Sequence, residues 1–154
     1  MKNNLRKIIA VSLVAISVAT RSVSAQADTG LGIVLGQPTG ISLRMDQSPT
    51  TAFDAALAWR LGDREYLFAH ADYLWIRRGI VIPRSLSADL YYGIGGILAL
   101  PEDDVAVALR LPIGVSKKFA DPNLEVFAEL AVAFTVVPAT DFDIVGGVGL
   151  RFWF

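Results

Sequence analysis

Hydrophobic and polar residues alternate along most of the chain beyond its first 25 residues. In the last segment, one face of an extended strand would carry Phe142, Ile144, Gly146, Val148, Leu150, Phe152 and Phe154, and the other face Asp143, Val145, Gly147, Gly149, Arg151 and Trp153. Residues 124–134 alone fit a helix as well, because Glu125 and Glu129 would share a helix face. Residues 105–116 alternate over their whole length, so the pattern predicts β-strands in this half of the chain.

The first half contains further alternating runs at residues 53–60, 66–77 and 89–98, separated by turn-forming Gly, Pro, Asp and Asn residues. Residues 30–46 predict either two short strands around Pro38 or one kinked strand. An even strand count returns both termini to one end of a barrel, which favours two strands. The chain therefore predicts an all-β fold, an antiparallel up-and-down barrel of about eight strands.

The connections of this barrel show one departure from the usual arrangement. We expect the longest one, Arg78 to Leu86, at the end that carries the termini. Outer-membrane barrels usually have short turns at that end and longer loops at the other.

The first residues have the pattern of a secretory signal peptide. Basic Lys2, Arg6 and Lys7 precede an apolar run at residues 8–19, and small residues follow at 23–25. We expect cleavage after Ala25, which leaves residues 26–154 as one domain. The alternative is an uncleaved N-terminal anchor, although the run is shorter than the roughly 20 residues that a spanning helix needs.

Charge and cysteine content exclude several classes of protein. Cleavage would remove four of 14 basic residues and none of 15 acidic ones, so the mature chain would carry a net charge of −5. It has no basic stripe, and we expect no nucleic-acid partner. The absence of cysteine excludes disulfides, thiolate metal sites and cysteine nucleophiles. With one histidine, no metal-ligand spacing is visible beyond carboxylates such as Asp103 and Asp104, so we expect no metal or cofactor.

The second face of each predicted strand is unlike the surface of a soluble β-protein, because it carries mostly Gly, Ala and Ser with scattered charges of both signs. Small residues fit a narrow barrel interior, and apolar residues then face lipid. Aromatic residues near strand ends suit the two membrane interfaces, with ordinary core aromatics as the alternative: Trp59, Tyr66, Tyr73, Trp75, Phe119, Phe134, Trp153 and Phe154. The pattern predicts a membrane-spanning barrel in contact with outer-membrane lipid.

Nine charged or titratable residues fall on the predicted inward face. We expect them to form a polar network in the lumen: Arg44, Asp54, Arg60, His70, Asp72, Arg110, Glu125, Glu129 and Arg151. Unpaired charges there would cost several kcal/mol each, so opposite charges should pair, for example Arg110 with Glu129. A barrel of about eight strands has an interior just wide enough for side chains. A structural lumen is therefore expected, with a narrow gated pore as the alternative.

His70 and Asp72 share a face and suggest a catalytic pair of the kind found in lipid-modifying outer-membrane enzymes. However, the local sequence lacks the His-x-Ser arrangement of the lipid A deacylases. We therefore expect a hydrogen-bond network and no catalytic residues.

The chain also resembles known proteins. Val148, Leu150, Phe152 and Phe154 resemble the C-terminal signal that the barrel insertion machinery reads in outer-membrane proteins. Residues 36–42, 69–75, 90–96 and 142–154 resemble segments of an uncharacterised family of small outer-membrane barrels. That family is similar in architecture to outer-membrane protein X and to the transmembrane domain of outer-membrane protein A.

The resemblance implies a fold, an outer-membrane location and the insertion machinery as a partner, and it leaves the activity open. We expect a non-enzymatic barrel with a structural or surface-interaction role and an unknown surface ligand. A narrow channel and a lipid-modifying enzyme are the alternatives.

Overall fold

Eight antiparallel strands form a closed barrel in the computed structural model, which describes residues 29–37, 39–60, 66–82, 86–100 and 105–154. The strands are β1 (Thr29–Gln37), β2 (Thr39–Ser48), β3 (Thr51–Arg60), β4 (Tyr66–Ile82), β5 (Leu86–Leu100), β6 (Ala106–Ala120), β7 (Asn123–Val137) and β8 (Asp141–Trp153). The prediction of an all-β antiparallel barrel of about eight strands is confirmed, as is the choice of two strands for residues 30–46. The predicted signal peptide lies outside the described residues.

Each strand pairs with its neighbours in the chain, and β8 pairs with β1 to close the sheet. Closure leaves no strand edge unpaired around the wall, so the backbone groups of the strands bond to one another. The pleat then divides the side chains into an inward and an outward set. In β6, for example, Arg110 is buried whereas Leu109 and Leu111 are exposed.

The barrel has two different ends. We call the end with Thr29 and Trp153 the terminal end, and the other the distal end. At the terminal end the connections are short, since β2 is joined to β3 by residues 49–50, β4 to β5 by 83–85 and β6 to β7 by 121–122. At the distal end, residues 61–65 and 101–105 make the longest connections.

The prediction of a long connection from Arg78 to Leu86 is wrong. A bulge at Arg78 and Gly79 shifts the register, and pairing resumes at Ile80 with Ala88, so both strands continue beyond it. Gly79 has a φ of 65°, a left-handed conformation that favours glycine. Its backbone N–H and the Arg78 guanidinium both bond to the Asp89 carboxylate, at 2.9 Å each. These bonds hold the strands together where an alternating pattern is interrupted.

The interior is filled by side chains in distinct layers. One apolar cluster lies toward the distal end and consists of Ala58, Phe68, Ile97, Ala108 and Ala133. A second lies toward the terminal end on the β3–β5 side and consists of Ala52, Leu74, Ile76 and Tyr91. Charged residues occupy the interior between and beside these clusters. In the part of the chain that the structure describes, no helix is long and apolar enough to cross a membrane.

Candidate functional site: the charged lumen

The strand pleat turns the predicted polar residues into the barrel. Arg44, Asp54, Asp72, Arg110, Glu125 and Arg151 are buried, and His70 and Glu129 are half-buried. Arg60 ends β3, but its side chain lies outside the described part. The eight residues with described side chains form two connected groups, each with an arginine at its centre.

The first group, the Arg151 cluster, consists of Arg151, Arg44, Asp54, Glu125 and Ser42. Arg151 donates hydrogen bonds to Asp54 Oδ1 at 2.5 Å, to Ser42 Oγ at 2.9 Å and to Glu125 Oε2 at 3.3 Å. Arg44 donates to the other oxygen of Glu125 at 3.3 Å and to Asp46 Oδ1 at 3.2 Å. Since these residues come from β2, β3, β7 and β8, the cluster ties together strands that are not neighbours in the wall.

The second group, the Arg110 cluster, consists of Arg110, Asp72, Glu129 and His70. Arg110 donates one nitrogen to Asp72 Oδ2 and another to Glu129 Oε1. His70 Nδ1 lies 2.9 Å from the same Asp72 oxygen. The pair Arg110 and Glu129 is therefore in contact, and Asp72 links it to the single histidine.

Charge pairing explains how these residues tolerate burial. An isolated buried ion costs several kcal/mol, whereas paired ions with further hydrogen bonds recover much of that cost. Each guanidinium here bonds to two or more acceptors, as its planar fork of donors allows. The two clusters together contain three guanidiniums and four carboxylates, Asp54, Asp72, Glu125 and Glu129.

A third group lies at the terminal end and was not among the predicted lumen residues. Asp46 Oδ2 accepts hydrogen bonds from Lys118 and Arg78, both at 2.8 Å. The Lys118 ammonium also lies 3.1 Å from the centre of the Trp153 ring. Lys118 shares its strand face with Arg110, so alternation alone would have placed it inside. Arg78 lies in the bulge, where alternation gives no signal.

The structure also corrects the predicted position of Trp153. We expected it at a membrane interface, but it is 5% exposed, and its indole N–H donates to Glu125 Oε2 at 3.2 Å. Its inward position follows from the same alternation that placed Arg151, two residues earlier. A buried tryptophan needs an acceptor for its N–H, and Glu125 supplies it.

The outer face is apolar between its two ends. In the described residues, 28 large hydrophobic side chains are exposed, a continuous area far larger than the patches on soluble monomers. Toward the terminal end, Phe53, Tyr73, Trp75 and Tyr92 pack in series with ring centroids 5.2–5.9 Å apart. Toward the distal end, the ring centroids of Phe134 and Phe142 lie 5.2 Å apart. We call these two groups of side chains the aromatic rows. Between them, no outward position of the described strands is charged.

A small cavity opens inside the barrel next to the Arg110 cluster. Its volume is about 30 Å³, and it is lined by His70, Arg110 and Glu129 and by apolar residues including Ala56 and Phe68. This is room for one or two water molecules. Among the described side chains, no serine hydroxyl is bonded to His70, whose Nδ1 lies 2.9 Å from Asp72 Oδ2. The arrangement is suited to holding charge inside the barrel.

Comparisons of the sequence and the structure with known proteins find no relative. No protein-family model, no curated protein and no solved structure matches this chain. Its function must therefore be inferred from its own residues and fold.

Proposed function

We propose that the chain is a small integral barrel of a bacterial outer membrane, with a structural or surface-interaction role and no enzymatic activity. The observation that carries the proposal is the distribution of charge. The interior holds three buried guanidiniums and their carboxylate partners, whereas the outward positions between the aromatic rows hold no charge in the described strands. A soluble barrel places these two kinds of side chain the other way round.

The height of the apolar surface supports a bilayer as its surroundings. In β8, outward-facing residues run from Phe142 to Phe152 without a charged side chain. Ten residues at 3.3 Å each, tilted by about 40°, span about 25 Å, the height of the apolar band of an outer-membrane barrel. The aromatic rows then lie at the two membrane interfaces.

The connections indicate an orientation. Outer-membrane barrels have short turns on the periplasmic side and longer loops outside. The terminal end, with connections of two or three residues, would face the periplasm, and the distal end would face the cell exterior. On this proposal the outer-membrane lipid and the insertion machinery are partners, and the chain is a member of the small-barrel family that it resembles.

The filled interior favours a structural or surface role over a channel. A solute passing through would have to separate the ion pairs of both charged clusters and the apolar cluster around Phe68. We therefore expect the folded barrel to be silent in planar bilayers. A lipid-modifying activity has less support still, because His70 lacks a bonded nucleophile among the described residues.

Membrane fractionation tests the proposal. The protein should sediment with the outer membrane and should migrate differently in gels before and after heating, because a closed barrel resists detergent in the cold. A variant lacking residues 2–25 is the control, and we expect it to stay in the cytoplasm. Recovery of the full chain as a soluble periplasmic monomer would contradict the proposal.

A further inference from the structure

Two basic side chains lie on the outer wall near the terminal end. On β4, Arg77 occupies the next outward position after Trp75 and is exposed. On β6, Lys117 occupies the next outward position after Val115. The outward face of each strand therefore changes from apolar to cationic toward the terminal end.

The two cations flank β5 at a similar height. Arg77 pairs with Leu90 across the wall, and Leu90 pairs with Val115. Strands tilted by about 40° are offset by about one residue each in height, which brings Lys117 near the level of Arg77. At about 4.8 Å per strand, β4 and β6 lie about 10 Å apart. Both side chains are long, so their charged ends can reach the space in front of β5.

The acidic residues of this end have other partners. Asp46 accepts hydrogen bonds from Arg78 and Lys118, and Asp89 accepts one from Arg78 at 2.9 Å. Asp121, in the turn after β6, forms no salt bridge in the part of the chain that the structure describes. These carboxylates therefore leave the two outward cations without a neutralising partner.

Arg77 and Lys117 can each bind an anion. Within the described residues, neither forms a salt bridge. The Lys117 ammonium donates to the Ser87 carbonyl at 2.8 Å, a neutral acceptor near the terminal end of β5. This bond holds the ammonium along the wall, where its methylene stem covers apolar surface. The Arg77 guanidinium presents a planar fork of donors, the geometry that matches a phosphate group.

We propose that Arg77 and Lys117 bind the phosphate groups of anionic phospholipids in the leaflet at the terminal end of the barrel. The inference rests on the proposed function, which places the apolar wall in a bilayer and makes this leaflet the periplasmic one. Trp75 and Tyr92, whose rings stack with centroids 5.9 Å apart, mark the membrane interface one outward position from Arg77. Phospholipid phosphates lie at that level, and opposite charge favours lipids with a net negative charge.

A lipid fits this surface better than a protein does, because the cations continue the apolar face of two strands and do not lie in a connection. A lipid can lay its acyl chains on that face and its phosphate on the cations at once. Toward the distal end, no outward basic side chain is described, and Asp141 and Asp143 of β8 are exposed. The preference for anionic lipid should therefore belong to the terminal end.

Quenching of tryptophan fluorescence by brominated lipids tests the proposal. Trp59→Phe, the parent for this experiment, leaves Trp75 as the only outward tryptophan, because Trp153 lies inside the barrel. The parent is refolded into phosphatidylcholine vesicles that contain either phosphatidylglycerol or phosphatidylcholine with brominated acyl chains. Quenching requires contact, so it measures how often each lipid lies beside Trp75. We expect brominated phosphatidylglycerol to occupy this position about fivefold more readily than brominated phosphatidylcholine.

Two variants of this parent locate the preference. Arg77→Gln combined with Lys117→Gln should bring the ratio of the two lipids close to one. Ala139→Asp combined with Thr140→Asp lowers the net charge by the same two units in the distal connection, and should leave the ratio unchanged. Quenching by brominated phosphatidylcholine shows that each variant has inserted.

The possible results separate this inference from the proposed function. Equal occupancy by both lipids in the parent, or a preference that survives in the glutamine variant, would overturn the inference and leave the membrane role intact. If neither brominated lipid quenches Trp75, the apolar wall does not lie in the bilayer, and both proposals fail.

Discussion

At the residue scale, neighbours along one strand lie in opposite surroundings. Leu130 is 60% exposed on the outer wall, whereas Glu129 accepts a hydrogen bond from Arg110 inside. The same chemical change therefore has different consequences at adjacent positions. The effect of a substitution depends on whether it places charge outside or removes it from a paired group inside.

Leu130→Arg should destabilise the barrel in lipid vesicles by about 2–4 kcal/mol, because it places a charge near the middle of the apolar band. Glu129→Gln should be milder, because Arg110 keeps Asp72 as its partner. The free energy of reversible unfolding measures both. Equal tolerance of the two variants would contradict the assignment of inward and outward faces.

Arg110→Met should be the most costly single change at this cluster, about 3–5 kcal/mol, because it leaves Asp72 and Glu129 without their shared cation. Adding Glu129→Gln removes one of the two stranded carboxylates and should recover part of the loss. A double-mutant cycle measures this coupling. Strictly additive effects would mean that the two side chains do not interact.

Gly95 and Gly96 form a matched pair for testing how tightly the lumen is packed. A Cβ at Gly95 would collide with the Asp72 carboxylate and with the carbonyl of Ala71, whereas the nearest neighbour of one at Gly96 is the Ala108 carbonyl at 3.8 Å. Gly95→Ala should therefore destabilise by about 1–3 kcal/mol. Gly96→Ala should stay within about 0.5 kcal/mol. The same unfolding measurement applies, and a reversed order would show that Asp72 does not occupy this space.

At the scale of strands, β8 is the strand that closes the barrel. It pairs with β7 and with β1, and the Phe154 backbone N–H donates to the Thr29 carbonyl at 3.1 Å. Its outward side chains Val148, Leu150 and Phe152 and that of Phe154, just after the strand, are all exposed, as the predicted insertion signal requires, although recognition of that signal stays a prediction. The strand therefore combines closure of the wall with an apolar outer stripe.

Replacing Phe152 and Phe154 by Asp, or deleting Phe154, should leave the chain in the periplasm for degradation. The charges would disrupt the apolar outer stripe at its end. Immunoblots of membrane fractions measure the level of inserted protein. Asp at Ala139 and Thr140, both exposed in the distal connection, adds the same charge and should be tolerated. Normal outer-membrane levels of the Phe variants would show that these residues carry no signal.

Alternation along single strands predicts much of this arrangement and fails in defined places. It predicted that Arg110 and Glu129 face inward. Because these residues lie on adjacent strands, their pairing could also be predicted. Contacts across the lumen, such as Arg151 with Asp54, join strands far apart in the chain and depend on the closed register. The bulge at Gly79 shifts the pattern by a residue, so alternation showed neither the continuation of β4 nor the ion pair of Arg78 with Asp46.

At the scale of the whole molecule, the fold is a charged interior enclosed by an apolar wall. The ion pairs are shielded from solvent, so salt should screen them weakly. Unfolding in vesicles should therefore change little as salt is raised, in contrast to a protein held by surface ion pairs. A large loss of stability in high salt would contradict this description of the interior.

The pairing of β1 with β8 also sets an order in time. Synthesis produces β1 first and β8 last, so the backbone of β1 has no β8 partner until almost the whole chain has been made. Until then the sheet has two open edges and an exposed apolar face, the combination that promotes aggregation. On the proposed membrane role, the chain therefore has to be kept apart from its copies until the barrel closes.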